Sequence, residues 1–212
     1  MPRPRQPHLR DADLRELILD TTDALLARSG YAKLTMEELA GQVGIAKATI
    51  YLYFANKEDV VLSMITRVVH RVMARLQSIA ASRGRAAARL ETMLSARVLA
   101  RFDSFLHYQG SLHDMLAEIR AALQQRRLAH SHEEAAIFAG VLREGARDGS
   151  LRRCDANRTA ATLLTATESL MPSNLSISEL GSRRDVEVRA KRLAHLLVVG
   201  LATNRSVARR QK

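Results

Sequence analysis

Between Pro7 and Pro172 the chain contains no proline. Proline removes a backbone donor and clashes with the preceding helical turn, so a run of this length without one leaves helices free to form throughout it. The run is rich in Ala, Leu, Arg and Glu, which give up little on entering a helix. Its isoleucines and valines never alternate with polar residues over a strand-length window. An all-α fold is predicted. With 212 residues, 47% of them hydrophobic and 26% charged, the chain can build one or two domains with real cores and is too apolar for disorder. The single cysteine, Cys154, excludes an internal disulfide and a cysteine-based zinc site and suits a reducing compartment. No apolar leader is expected in the first eight residues. The longest apolar stretch, near Leu196 to Ala202, falls short of the roughly 20 residues a membrane span needs. The expectation is a cytoplasmic protein with no membrane partner.

Hydrophobic periodicity orders the elements. Leu14, Leu17, Ile18, Thr21, Ala24 and Leu25 recur at helical spacing after Asp11, with Asp11 or Asp13 as cap and Gly30 at the end. Thr35-Met-Glu-Glu38 reads as a capping box ahead of a short helix that Gly44 breaks. A second short helix is predicted from about 46 to 53. Asn56 then caps a long helix that fades near 82–85. Further helices are predicted at about 86–108, 112–129, 131–147, 156–170 and 184–204, with a serine-rich loop over 172–182. The chain thus divides into a flexible basic arm (1–10), an N-terminal three-helix domain (11–65) and a C-terminal antiparallel helical bundle (66–212), about nine helices in all.

Residues 36–53 have the spacing of a helix-turn-helix. Ala40 is small where two helices must cross closely, Gly44 supplies the turn, and Ile50 plugs the core beneath the second helix. The solvent face of that helix then presents Lys47, Ala48, Thr49, Leu52 and Tyr53, short hydrogen-bonding and methyl-bearing groups suited to a major-groove edge. Net charge adds little to this reading. The whole chain carries +11, but residues 1–65 hold eight basic and nine acidic residues, a net −1, and the excess of +12 lies in 66–212.

The stretch Thr35 to Val61, TMEELAGQVGIAKATIYLYFANKEDVV, resembles the DNA-binding domain of the tetracycline-repressor (TetR) family. Its Thr-Ile-Tyr-x-Tyr-Phe-x-x-Lys run at 49–57 is the most distinctive part, and the helix ending Ala27-Arg-Ser-Gly30-Tyr31 is similar too. One departure stands out: the family usually has Ser or Thr where this chain has Ala46, so the recognition helix loses a side-chain cap, typically at about 0.5–2 kcal/mol. The resemblance implies a homodimer on double-stranded DNA, one recognition helix per major groove, with a small-molecule effector in the bundle controlling their spacing. It implies Lys47, Ala48, Thr49 and Leu52 at bases or nearby backbone, and Thr35, Tyr51, Tyr53 and Lys57 at phosphates. Phe54 is expected in the core. Arg3 and Arg5 in the arm are further DNA candidates, against the alternative of a frayed terminus.

Four of the eight aromatics, Phe102, Phe105, Tyr108 and Phe138, lie in the middle of the second domain, where they suit a cavity around an apolar ligand. Met93, Met115 and Leu142 would extend its wall, with His107 and His113 as polar contacts. The alternative is that these aromatics fill a core. Leu163, Leu164 and Leu170, then Leu193, Leu196, Leu197 and Leu201 with Gly200, form stripes broad enough to suggest a dimer face built as a four-helix bundle. The histidines lack the i, i+4 spacing of a helical metal pair, so neither metal nor cofactor is expected. Cys154, beside Arg152 and Arg153, is a redox candidate or a spectator. No paired carboxylates, nucleophile–base pair or phosphate loop points to an enzyme. The expected function is a ligand-responsive transcriptional regulator, a repressor; the alternatives are an effector-independent architectural DNA binder and a helical enzyme.

Overall fold

The computed structural model describes residues 10–107, 112–170 and 177–203; within its helices the side chains of residues 105, 107, 112–118, 120–123, 125, 127–129, 177 and 178 fall outside the description. The described residues form nine helices: α1 (Asp11–Ser29), α2 (Met36–Val43), α3 (Lys47–Tyr51), α4 (Lys57–Ala80), α5 (Ala86–His107), α6 (Leu112–Arg147), α7 (Ala156–Glu168), α8 (Ile177–Leu180) and α9 (Arg183–Leu201). Among them no strand occurs, only one isolated antiparallel bridge between Leu151 and Ala202.

The all-α expectation holds, with four local corrections. The helices predicted at 112–129 and 131–147 are one continuous helix, α6. Ser131 reads as a cap in sequence, but neither glycine nor proline stands beside it, and a lone serine is tolerated on an exposed helical surface. The loop at 172–182 contains the single turn α8. In α1 the buried face is Ile18, Leu19, Thr22, Leu25 and Leu26, rotated by one residue from the expected stripe and leaving Leu17 exposed. Neither Asp11 nor Asp13 caps that helix: Arg10 occupies the cap position, without a side-chain bond to the helix backbone, and the two acids sit in the first turn.

The chain resolves into two compact units, Met1–Val68 with His107–Gln125, and Val69–Leu106 with Arg126–Lys212. Residues 107–125 differ from the sequence division: they count with the first unit, and Ile119, 1% exposed, belongs to its core. That core gathers Ile18 and Leu26 of α1, Leu39 and Ala40 of α2, Ile50 of α3, Phe54, and Val60 and Met64 of α4. Gly44, at φ 82° and ψ 29°, makes the left-handed turn between α2 and α3 that a side chain would resist.

The second unit is built on two apolar clusters. The larger joins Leu90, Met93, Leu94, Phe138, Leu142, Leu163 and Leu164 with Ala194 and Val198 of α9. The smaller holds Val98 and Phe102 of α5 against Leu180, Val186 and Ala190. Gly145 permits close packing here: a Cβ at this position would stand 2.7 Å from Leu151 Cγ and 3.1 Å from Ala86 Cβ. A full capping box starts α9, in which Ser182 accepts from the Asp185 amide and Asp185 accepts from the Ser182 amide.

Candidate nucleic-acid interface and effector domain

The helix-turn-helix positions its polar face by burying three residues. Ala40 is 4%, Ile50 0% and Phe54 1% exposed, so α3 is fixed on the core from one side only. Its opposite side leaves Lys47, Ala48 and Tyr51 in solvent, Thr49 half-buried, and Leu52 82% exposed just beyond the helix. Tyr51 is therefore not a core residue. The start of α3 has no side-chain cap, as Ala46 dictates; the Ala46 carbonyl accepts from the Thr49 amide at 2.9 Å. Thr35 caps α2, its hydroxyl oxygen accepting from the Glu38 amide at 3.0 Å. The reciprocal half of that expected box is absent from the contacts of Glu38, whose carboxylate instead receives Arg28 at 3.4 Å. Asn56 accepts from the Asp59 amide at 2.8 Å and so starts α4.

The charged groups of this face are engaged with one another. Lys47 Nζ forms an ion pair with Glu37 Oε1, across from α3 to the first turn of α2. The hydrogen bond from Lys47 holds the Glu37 carboxyl below the usual carboxylate range, and the same bond raises the Lys47 ammonium. Tyr53 Oη donates to Asp11 Oδ1 at 3.1 Å; burial and this bond raise the phenol. Lys57, the first residue of α4, carries its Nζ 4.0 Å from the centroid of the buried Tyr31 ring. Arg15 lies 5.2 Å over the Phe54 ring. Arg67 ties α4 to α1 through Glu16 at 3.0 Å and Asp20 at 2.7 Å; burial opposes its charge, and the two carboxylates outweigh burial and raise its pKa. Arg3 and Arg5 lie outside the described residues. Sequence reasoning overlooks Glu37 and Asp11 as partners of Lys47 and Tyr53, because both also read as ordinary helix-start acids.

In the second unit, the residues expected to line an effector cavity fall into two groups. Phe102 is fully buried in the smaller cluster, whereas Met93, Phe138 and Leu142 are buried in the larger one. Phe105, Tyr108, Met115, His107 and His113 lie outside the described side chains. A charged group not anticipated from the sequence lies nearby. Arg97, 2% exposed, donates to Glu134 at 2.9 Å, Thr167 at 2.6 Å and Glu168 at 2.8 Å, and Glu134, 3% exposed, also accepts from Arg101 at 3.1 Å. The network links α5, α6 and α7. The only sequence signal was an arginine set among apolar neighbours, Leu94 and Val98.

The leucines expected at a dimer face also divide. Leu163 and Leu164 are buried in the chain's own core, Leu197 and Leu201 pack against it, and Leu170 packs on the Phe102 cluster. Leu193 is half-buried; Leu196, at 61%, and Gly200 are exposed. Leu196 shares its face of α9 with exposed Val188 and Val199, which the sequence reading left out. Among the described residues no three of His, Cys, Asp and Glu cluster as a metal set; His130 stands edge-on to His70 at 5.4 Å. Cys154 is exposed. No helix among the described residues is long and apolar enough to cross a membrane.

The family model described as bacterial regulatory proteins, tetR family, matches residues 18–64. An HTH-type transcriptional regulator of Haemophilus influenzae is 43% identical over 65 residues, 31% of this chain and 35% of its own length, so the match spans about a third of that relative. Among solved structures, a transcriptional regulator from Cytophaga hutchinsonii aligns with a TM-score of 0.72 at 22% identity, over 89% of this chain and 98% of its own. The Bacillus subtilis regulator FadR, in complex with stearoyl-CoA, aligns with a TM-score of 0.63 at 22% identity, over 88% and 98%.

Proposed function

We propose, from the match of residues 18–64 to the tetR family of bacterial regulatory proteins, that the chain is a TetR-type effector-responsive repressor that binds a palindromic operator as a homodimer. The observation that carries this reading is the polarity of α3: Ile50 is sealed in the core while Leu52 is 82% exposed beside Lys47 and Ala48. A large aliphatic side chain left in water at the end of this helix has a use against a thymine methyl group, and Lys47 and Thr49 supply hydrogen bonds to base edges. Thr35, Tyr51, Tyr53 and Lys57 surround it as phosphate contacts that set register.

The exposed row Val188, Leu196 and Val199 on α9, with Gly200 beside it, supports dimerisation through this helix and its neighbour α7. The effector is a mainly apolar or aromatic small molecule held in the bundle near Phe102. Stearoyl-CoA in the FadR structure is a fold-level analogy for an apolar-tailed ligand. Such a ligand weakens DNA binding only by preferring the subunit geometry that misplaces the recognition helices; a tenfold loss takes about 1.4 kcal/mol of differential affinity. Catalysis has no part in this reading.

Selection of bound duplexes from a random pool by the purified protein tests the function. The expected product is an inverted repeat with half-site centres ~34–36 Å apart or a multiple of that. Recovery of only single, asymmetric half-sites would overturn the dimeric operator. The complete burial of Phe102 and Phe138 favours a second reading, an effector-independent architectural binder. That reading stands if no apolar ligand alters operator affinity.

A further inference from the structure

Lys47 is the sole basic residue between Met36 and Tyr53, the span of both helices of the helix-turn-helix. Its ammonium is held by Glu37 from the first turn of α2. The fold gains little from that carboxylate beyond its place at the positive end of the helix dipole. Glu37 is exposed, Thr35 already caps the helix, and the buried side chains of α2 are Met36, Leu39, Ala40 and Val43. An exposed ion pair contributes little to stability. Where DNA is to dock, a carboxylate also repels phosphates spaced at about one charge per 1.7 Å of duplex. The domain as a whole leans the same way: from Asp11 to Ile65 there are five basic and nine acidic residues, a net −4. Asp11 treats Tyr53 as Glu37 treats Lys47, accepting from the hydroxyl at 3.1 Å.

We propose, resting on the DNA-binding reading above, that Glu37 is a specificity-determining residue: it occupies Lys47 and so suppresses binding to DNA in general. On an arbitrary duplex, Lys47 gains a phosphate only by leaving Glu37, whose unpaired carboxylate then faces the backbone. Exchange of one anion for another gives little, and the repulsion remains. On the preferred half-site, Lys47 keeps Glu37 and turns its two remaining N–H donors to a base edge with two acceptors, such as guanine O6 and N7. The pair therefore lowers affinity for wrong sequences more than for the right one, and discrimination is that difference.

The test compares the full-length protein with Glu37→Gln and with Glu37→Gln/Lys47→Met. The probes are a random-sequence duplex and the duplex recovered by selection with the wild-type protein, read by fluorescence anisotropy from low to moderate salt. Glu37→Gln should bind the random duplex about three- to tenfold more tightly, with a salt slope steeper by about 0.9 per subunit as one more phosphate is neutralised. Its affinity for the selected duplex should change less than about twofold, so the specificity ratio falls. The double variant should return random-duplex affinity and slope to the wild-type values. Equal tightening on both duplexes, or none on the random duplex, overturns the assignment of Glu37 while leaving the DNA-binding reading intact. A wild-type protein that binds no duplex overturns both.

Discussion

Glu134→Leu removes the carboxylate shared by Arg97 and Arg101. The side chains of Arg97 and Glu134 are only 3% and 4% exposed. Arg97 keeps Glu168 at 2.8 Å and Thr167 at 2.6 Å, but its Nε loses the 2.9 Å bond and is left without an acceptor in a site that excludes water. Arg101, 34% exposed in its side chain, recovers most of its loss from solvent. Breaking a buried pair by deleting one partner costs about 3–5 kcal/mol, a large part of the 5–15 kcal/mol typical of a whole domain. At about 2–4 °C per kcal/mol in a chain of this size, Tm should fall by roughly 6–20 °C. Thermal unfolding followed by far-ultraviolet circular dichroism measures it. The double variant Arg97→Met/Glu134→Leu, which removes both charges, should regain most of the loss, because a buried pair exchanged for apolar groups is often near neutral. A fall below about 2 °C, or a double variant less stable than the single one, would refute the view that desolvated charge, and not side-chain packing, sets the cost.

Other outcomes follow from the DNA face, α9 and the turn after α6. Lys57→Ala should weaken binding to all duplexes about equally and flatten the salt slope by about one unit, whereas Thr49→Ala should weaken the selected sequence more than random DNA; a changed sequence preference in Lys57→Ala would reverse the two roles. Leu196→Glu should convert the proposed dimer to monomer in sedimentation velocity with helical content unchanged; an unaltered dimer would place the interface elsewhere, and a monomeric wild type would overturn the dimer itself. Burial would raise Asp148, but its bonds to Ser150 outweigh that and hold it below its ordinary 3.8. A depressed carboxyl contributes stability that is complete above pH ~4 and is lost as pH falls through the folded-state value. Asp148→Asn should therefore narrow the stability gap between neutral pH and pH ~3, and an unchanged acid limb in denaturant titrations would rule that contribution out.

The N-terminal domain was legible because steric requirements there fall on single residues. Ala40, Gly44 and Ile50 can each do one thing at their spacing, and the structure uses them so. The face of α1 was not, since Leu14, Leu17, Ile18 and Leu19 offer two overlapping stripes and only the packing partners choose between them. Ser131 failed as a boundary because a capping residue is also a permissible helix residue, and no breaker stood beside it. Leu163 and Leu164 look identical to interface leucines in sequence; their burial depends on Leu90 and Leu94, some seventy residues earlier. The Arg97–Glu134 pair was invisible for the same reason: a charged residue on a helix reads as solvated until its partner from another helix is known. The pairing of Lys47 with Glu37 spans only ten residues, but a carboxylate in the first turn of a helix reads as a partner of the helix dipole, and that hid it.

The one-sided attachment of α3 bears on how such a protein can diverge. Ala48 and Leu52 carry no packing duty, whereas Ile50, two residues from each, carries nearly all of it for this helix. Surface substitutions of this kind usually move stability by less than about 0.5 kcal/mol. On the proposed DNA-binding role, mutational drift at 48 and 52 can therefore explore new operators while the scaffold stays at constant stability, so that a gene duplicate acquires a different regulon through two neutral-looking steps. The same freedom is denied at 40, 44 and 50, so the lineage keeps its architecture even as the sequences it reads change.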